Sequence, residues 1–235
     1  MIRYERFTIP DITGQNGTRE RLMMAGENLM GRRGFSNVSL EEIASHAKQR
    51  NKYAVQYHFN NRDGLAQAIL NVRMQQVELR RKVLLRDVDP ADIHSILTAF
   101  LYPLAEQTDG DGNCSFARFL LQFIVRDDPI DEIVHPVLAS QTDSPTLQLF
   151  EMSRRAIGIS DRELFKRTKL FLPVSLRFLA VQTHEDTQPV IPAGFPQVVR
   201  MIAAALAVQC PDELEEGHRE TQDWIPFVKT PAADM

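Results

Sequence analysis

Apolar residues spaced three and four apart recur along most of this chain, while the strict alternation of a half-buried strand is almost absent. That period dictates packed helices, and the expected fold class is all-α. The first stripe is Leu22, Ala25, Leu29 and Met30, with Thr18 as a candidate cap before it and Gly34 as its end. Ser39-Leu40-Glu41-Glu42 then has the form of a capping box. The Ser39 hydroxyl accepts from the Glu42 amide, and the Glu42 carboxylate accepts from the Ser39 amide. A second helix starts there, with Leu40, Ile43, Ala44 and Ala47 on its core side. Lys48-Gln49-Arg50-Asn51 interrupts the pattern, which resumes at Ala54, Val55 and Phe59, so a polar turn separates two short helices. After Asn60-Asn61, a break with a good cap, the stripe Leu65, Ile69, Val72, Leu79 and Val83 predicts a fourth helix of roughly five turns beginning at Arg62.

Beyond Asp87-Val88-Asp89-Pro90, helices are expected at 91–107, 116–126, 130–140, 145–157, 161–184 and 195–209, with Pro or Gly near most junctions. Pro173 should kink the one over 161–184. The runs DGDGN at 109–113 and HEDTQPVIPAG at 184–194 read as loops. A chain of 235 residues buries a sizeable core without staples. Two cysteines, Cys114 and Cys210, supply neither a disulfide framework nor a cysteine zinc site. The N-terminus lacks the apolar run of a signal peptide, and no stretch approaches the ~18 apolar residues of a membrane span. A cytoplasmic protein with no membrane partner is the expectation.

The net charge of -4 conceals an asymmetry. Met1 to Arg86 holds 15 Lys and Arg against 8 Asp and Glu, and the remainder holds 12 against 23. A basic N-terminal third on an acidic chain suggests that one part meets a polyanion and the other does not. Three short helices with a polar turn before the third make a helix-turn-helix unit, whose last helix fits a major groove ~12 Å wide. Val55 and Phe59 face the core, which turns Lys52, Tyr53 and Gln56 outward for base readout, where Gln pairs with adenine and Lys with guanine. Ser39, Arg50, Tyr57, His58 and Arg62 are the candidates for phosphate, joined by the amides at the start of the fourth helix. Packing alone also explains a half-buried Tyr57 or a core-edge His58.

The order of residues reaches further. Gly34-Phe35, then Ser39-Leu40-Glu41-Glu42-Ile43-Ala44, then Val55-Gln56-Tyr57-His58-Phe59-Asn60-Asn61-Arg62-Asp63-Gly64-Leu65 resembles the DNA-binding domain of TetR-family transcriptional regulators over about 18–66. Two departures stand out. One residue more lies between Ala44 and Phe59 than in the commonest members, with Ala47-Lys48-Gln49-Arg50-Asn51-Lys52 replacing the usual Ala-Gly-Val-Ser turn. Gln56 also stands where the family often has Tyr, so that Tyr's phosphate role passes to Tyr57 or is lost.

The resemblance implies a division into a flexible N-terminal arm (1–17), a helix-turn-helix domain (18–66), a larger helical ligand-binding and dimerisation domain (67–210) and a loosely ordered tail (211–235). It implies a ligand-responsive regulator, a repressor released from a palindromic double-stranded DNA operator by a small molecule. The effector, unknown and largely apolar, would sit among Phe100, Phe119, Phe123, Phe150 and Phe178, although a packed core explains any one of these. The apolar segments at about 161–184 and 195–209 would pair with their copies in a homodimer. No cofactor, metal site or catalytic residue is expected. Asp109-Gly-Asp-Gly-Asn113 lacks the turn Gly and the bidentate Glu of a calcium loop, no His pair has zinc-hydrolase spacing, and neither a phosphate loop nor a nucleophile elbow occurs. The alternative is a helical ligand-binding or scaffold protein without DNA binding.

Overall fold

The structure, a computed structural model, describes residues 17–125, 144–182 and 191–208. These form helices α1 (Gly17–Arg33), α2 (Leu40–His46), α3 (Ala54–Phe59), α4 (Arg62–Leu84), α5 (Ile93–Ala105), α6 (Ser115–Ile124), α7 (Pro145–Ile157), α8 (Asp161–Ala180) and α9 (Phe195–Leu206). Single 3-10 turns lie at Phe35–Asn37 and Leu85–Asp87. No strand occurs among the described residues, and the all-α class holds. All of the arm (1–17) but Gly17, the tail (211–235) and the helix expected at 130–140 lie outside them.

Local chemistry sets the boundaries. Gly34 leaves α1 at φ +83°, a left-handed conformation that suits glycine, while its amide still donates to the Met30 carbonyl at 2.9 Å. The capping box at Ser39 forms as expected. Asn61 caps α4 by accepting from the Gly64 amide at 2.7 Å, and Ser144 and Ser160 do the same for α7 and α8. α1 starts one residue before Thr18, which is therefore interior to the helix. Two arginines close C-termini. Arg118 donates to the Ala180 carbonyl, and Arg167 donates to those of Leu206 and Val208. These caps stop α8 and α9 short of the expected 184 and 209, and α8 continues through Pro173.

α4 runs 23 residues, about six turns, out of the head formed by α1 to α3 and into the body. Its buried line corrects the expected stripe. Beyond Ile69 it follows Leu70, Met74, Val77 and Leu84, whereas Val72 and Val83 are half-buried and Leu79 is exposed. The reason is a change of neighbours, since α4 packs on α1 and α3 at its start and on α5 and α7 further on. The second half also buries Arg80 against Glu106, with Arg81 donating to the Phe100 carbonyl and pairing with Glu78. Burial lowers the Arg81 pKa, and the Glu78 carboxylate opposes that shift.

α1 packs along α6, and α6 packs along α8. The first approach is close, because a Cβ added at Gly31 would lie 3.0 Å from the Phe119 amide nitrogen. One apolar core therefore runs without a break from Leu22 in α1 to Leu206 in α9. Polar atoms bridge the same junction. Glu27 of α1 accepts from Arg73 of α4 at 2.7 and 2.9 Å and from the Ser115 hydroxyl at the start of α6. Cys114 beside it is buried, with its thiol pushed up to about 11 by burial, and Cys210 lies outside the described residues.

Candidate nucleic-acid interface

The sequence from Ala47 to Asn61 folds into a turn, a six-residue helix and a second turn, and its apolar residues decide which side faces out. Ala54, Val55 and Phe59 are buried in the core of the head. The opposite side consequently meets solvent: Tyr53 is 58% and Tyr57 is 82% exposed, and Lys52 and Gln56 are exposed beside them. Lys52 and Tyr53 stand in the turn ahead of α3, not on the helix itself. The extra turn residue explains this placement. Lys48 takes φ +54° and the Asn51 side chain accepts from the Tyr53 amide at 3.0 Å, which uses up chain before α3 can start.

Lys52 is not a free cation here. Its ammonium lies 3.4 Å from Glu41 and 5.1 Å from the centre of the Tyr53 ring. Both groups are well exposed, so the pair is a weak one that a guanine or a phosphate can replace. Among the described residues, the Gln56 amide and the Tyr57 hydroxyl have no hydrogen-bond partner. His58 is half-buried, with its ring edge-on to Tyr57 at 5.0 Å, and Arg50 is exposed in the turn. Ser39 is exposed at the start of α2. Its hydroxyl is committed to the capping box, accepting from the Glu42 amide at 3.1 Å. Glu42 in turn is held below the usual carboxylate range, chiefly by the Ser39 amide and then by Arg33, 2.8 Å away.

The joint between α3 and α4 is rigidly specified. Asn60 adopts φ +67°, and a Cβ at Gly64 would come within 2.1 Å of the Phe59 carbonyl oxygen, so no other residue fits. Arg62, the first residue of α4, is half-buried, and its Nε is buried without a hydrogen-bond partner among the described residues. Arg19, which sequence reasoning missed, places its guanidinium 4.8 Å from the centre of the Phe59 ring. Its position in the first turn of α1, forty residues away, gave no local signal. Glu41 was missed for a similar reason, since only the turn geometry brings Lys52 within 3.4 Å of it.

The five phenylalanines proposed to line an effector site fall into three places. Phe100 meets Phe150 edge-on at 5.4 Å, beneath the Arg81 guanidinium at 4.3 Å. Phe119 and Phe123 pack on Phe35, with Phe119 wholly buried, and Phe178 stacks on Phe195 at 5.8 Å. The motif Asp109 to Asn113 closes on itself, the Asp109 carboxylate accepting from the amides of Asp111 and Asn113, and no metal-holding cluster occurs among the described residues. No described helix is long and apolar enough to cross a membrane.

No curated protein matches the chain in sequence. Among solved structures, a gamma-butyrolactone receptor (ArpA-like protein) is 19% identical, with 81% of this chain and 96% of that one covered at a TM-score of 0.43. RolR in complex with resorcinol is 18% identical, with 88% and 96% covered at 0.45. A transcriptional regulator from Rhodococcus sp. Rha1 is 21% identical, with 82% and 100% covered at 0.45. The family model for bacterial regulatory proteins of the tetR family matches residues 22–69, from the first buried leucine of α1 to the second turn of α4. That span holds the capping box, the extended turn and the outward-facing α3. Residues 22–69 are accordingly similar to the helix-turn-helix domain of tetR-family regulatory proteins.

Proposed function

We propose that the protein is a transcriptional repressor that binds a palindromic operator as a homodimer and is released by a small, largely apolar molecule. The observation that carries this reading is the outer side of residues 52–57, where two tyrosines, a lysine and a glutamine stand exposed over an apolar floor. Large aromatics are seldom left this open without a partner. Lys52, Tyr53 and Gln56 read base edges, while Arg50, Tyr57, His58 and Arg62 hold phosphates. Ser39 contributes by fixing the start of α2.

The dimer is supported by a second exposed surface. Leu170, Val174 and Val181 fall along one side of α8 and its exit, at 67%, 54% and 50% exposure, and Met201 on α9 and Val208 just past its end are exposed as well. Ala204 and Ala207 are exposed beside them and permit close approach, whereas Ala203 packs within the protomer. The effector enters the body near Phe100 and Phe150, both half-buried beside the far half of α4. Because α4 spans head and body, a push there alters the ~34–36 Å separation that two recognition helices need.

A gel shift on the DNA upstream of the protein's own coding region, at fixed salt, tests the reading. Binding that weakens steeply as salt rises supports it. A stable dimer with no shift at any salt would establish instead a helical ligand-binding or scaffold protein.

A further inference from the structure

We propose that the junction of head and body holds a second ligand site, separate from the effector site above, which takes a single-ring aromatic cation. A cavity of about 190 Å³ lies between α1, α4 and the turn at 108–110. Its walls are Glu20, Met23 and Met24 from α1, Val72 and Arg73 from α4, and Asp109. An apolar cavity of about 150 Å³ accommodates benzene, so this volume admits one ring with a short polar head.

Charge selects the head. Arg73 and Glu27 neutralise each other through two hydrogen bonds, so the surplus charge of the lining belongs to Glu20 and Asp109 and is negative. A cation is attracted and a carboxylate is repelled. The Met24 thioether favours the edge of an aromatic ring, while the Met23 sulfur already accepts from Arg19 at 3.6 Å. Met24 is nearly half exposed and forms the mouth, whereas Met23 is buried behind it.

The site is also organised in advance. Glu27, only 4% exposed, is held by both Arg73 and Ser115, so the polar wall has little freedom to lose on binding. Gln76, another lining residue, has a buried Oε1 with no hydrogen-bond partner among the described residues. An unpaired buried acceptor is costly. A ligand N–H that draws this amide into the cavity gives it the bond it lacks. An occupant touches α1 of the head and the 108–110 turn of the body together, which braces one against the other.

Benzamidine and benzoate are the probes, used on the full-length protein with its methionine methyl groups labelled for NMR. Benzamidine should shift the Met23 and Met24 signals saturably, and benzoate should leave them in place. Glu20→Gln, a surface change, should weaken benzamidine by about threefold through loss of one attracting charge. Met24→Trp should fill the mouth and abolish the shift at Met23. The proposal is overturned if benzamidine produces no saturable shift, if benzoate matches it, or if binding survives Met24→Trp unchanged. Should Met24→Trp not fold, an unchanged affinity in Glu20→Gln overturns it equally. None of these readings involves DNA, so failure to bind an operator leaves this site standing, and failure of this site leaves operator binding standing.

Discussion

The tyrosines at α3 and the phenylalanines of α6 make opposite use of similar side chains. Tyr53, just ahead of α3, and Tyr57, on it, keep their rings in solvent, whereas Phe116 and Phe119 of α6 are wholly buried between α1 and α8. A tyrosine differs from a phenylalanine by one hydroxyl, worth little in isolation. The position in the fold decides the rest. Around α6 the rings fill a shared core, each contributing roughly 1.5–3 kcal/mol by burial, and the open rings of Tyr53 and Tyr57 bury too little to contribute comparably. Under the proposed function, the exposed rings meet DNA and the buried ones pack the core.

The widest separation between the two helices should come from truncating one ring in each. Phe119→Ala leaves a cavity at the α1–α6 contact and should lower unfolding free energy by about 3–5 kcal/mol in denaturant titration. Tyr57→Ala should stay within about 0.5 kcal/mol of the parent while weakening operator binding. A large stability loss in Tyr57→Ala would erase the contrast. Next in size, Gln56→Ala and Lys52→Ala should each cost about 1–3 kcal/mol of binding at particular operator positions. A loss spread uniformly over all positions would move these residues from base readout to the phosphate backbone.

A smaller effect is expected from Ser39→Ala, which removes one side of the capping box and should cost about 1 kcal/mol of stability. Salt dependence of DNA binding should barely change, because the hydroxyl serves α2 and not a phosphate. The smallest effect concerns acid. Glu151 on α7 is held down to about 2, chiefly by its hydrogen bond to Arg154 and also by Arg155. Its folded-state pKa lies below the ordinary value of 4.5, so its contribution is present above that pH and is lost as pH falls toward 2. Solvent screening keeps the contribution slight. In carboxyl NMR titrations Arg154→Ala should move the Glu151 midpoint upward, and an unmoved midpoint would assign the shift to Arg155.

Legibility in the sequence followed the range of the interaction. Ser39 to Glu42 and Asn61 to Gly64 are caps closed within four residues, and both were readable from residue order alone. So was the apolar pair Val55 and Phe59, which oriented α3 correctly although the added turn residue delayed its start. Contacts across the fold left no such trace. The bond between Glu27 and Arg73 spans 46 residues, and no periodicity distinguishes these two from other charges. The same holds for the phenylalanines, whose number was evident but whose division into three groups depends on helix packing.

The close approach at Gly31 has a consequence for how the molecule comes apart. Because α1 lies backbone to backbone against α6, the apolar side of the head is completed by the body and is not sealed by the head's own helices. Unfolding should therefore be one cooperative event, with amide exchange in α1 and α6 governed by a common opening, in contrast to two modules melting in turn. A chimera that moves α1 to α3 onto another regulator's body inherits this debt: the new α6 must present bare backbone opposite Gly31, or the graft will expose Leu29 and Met30 to water.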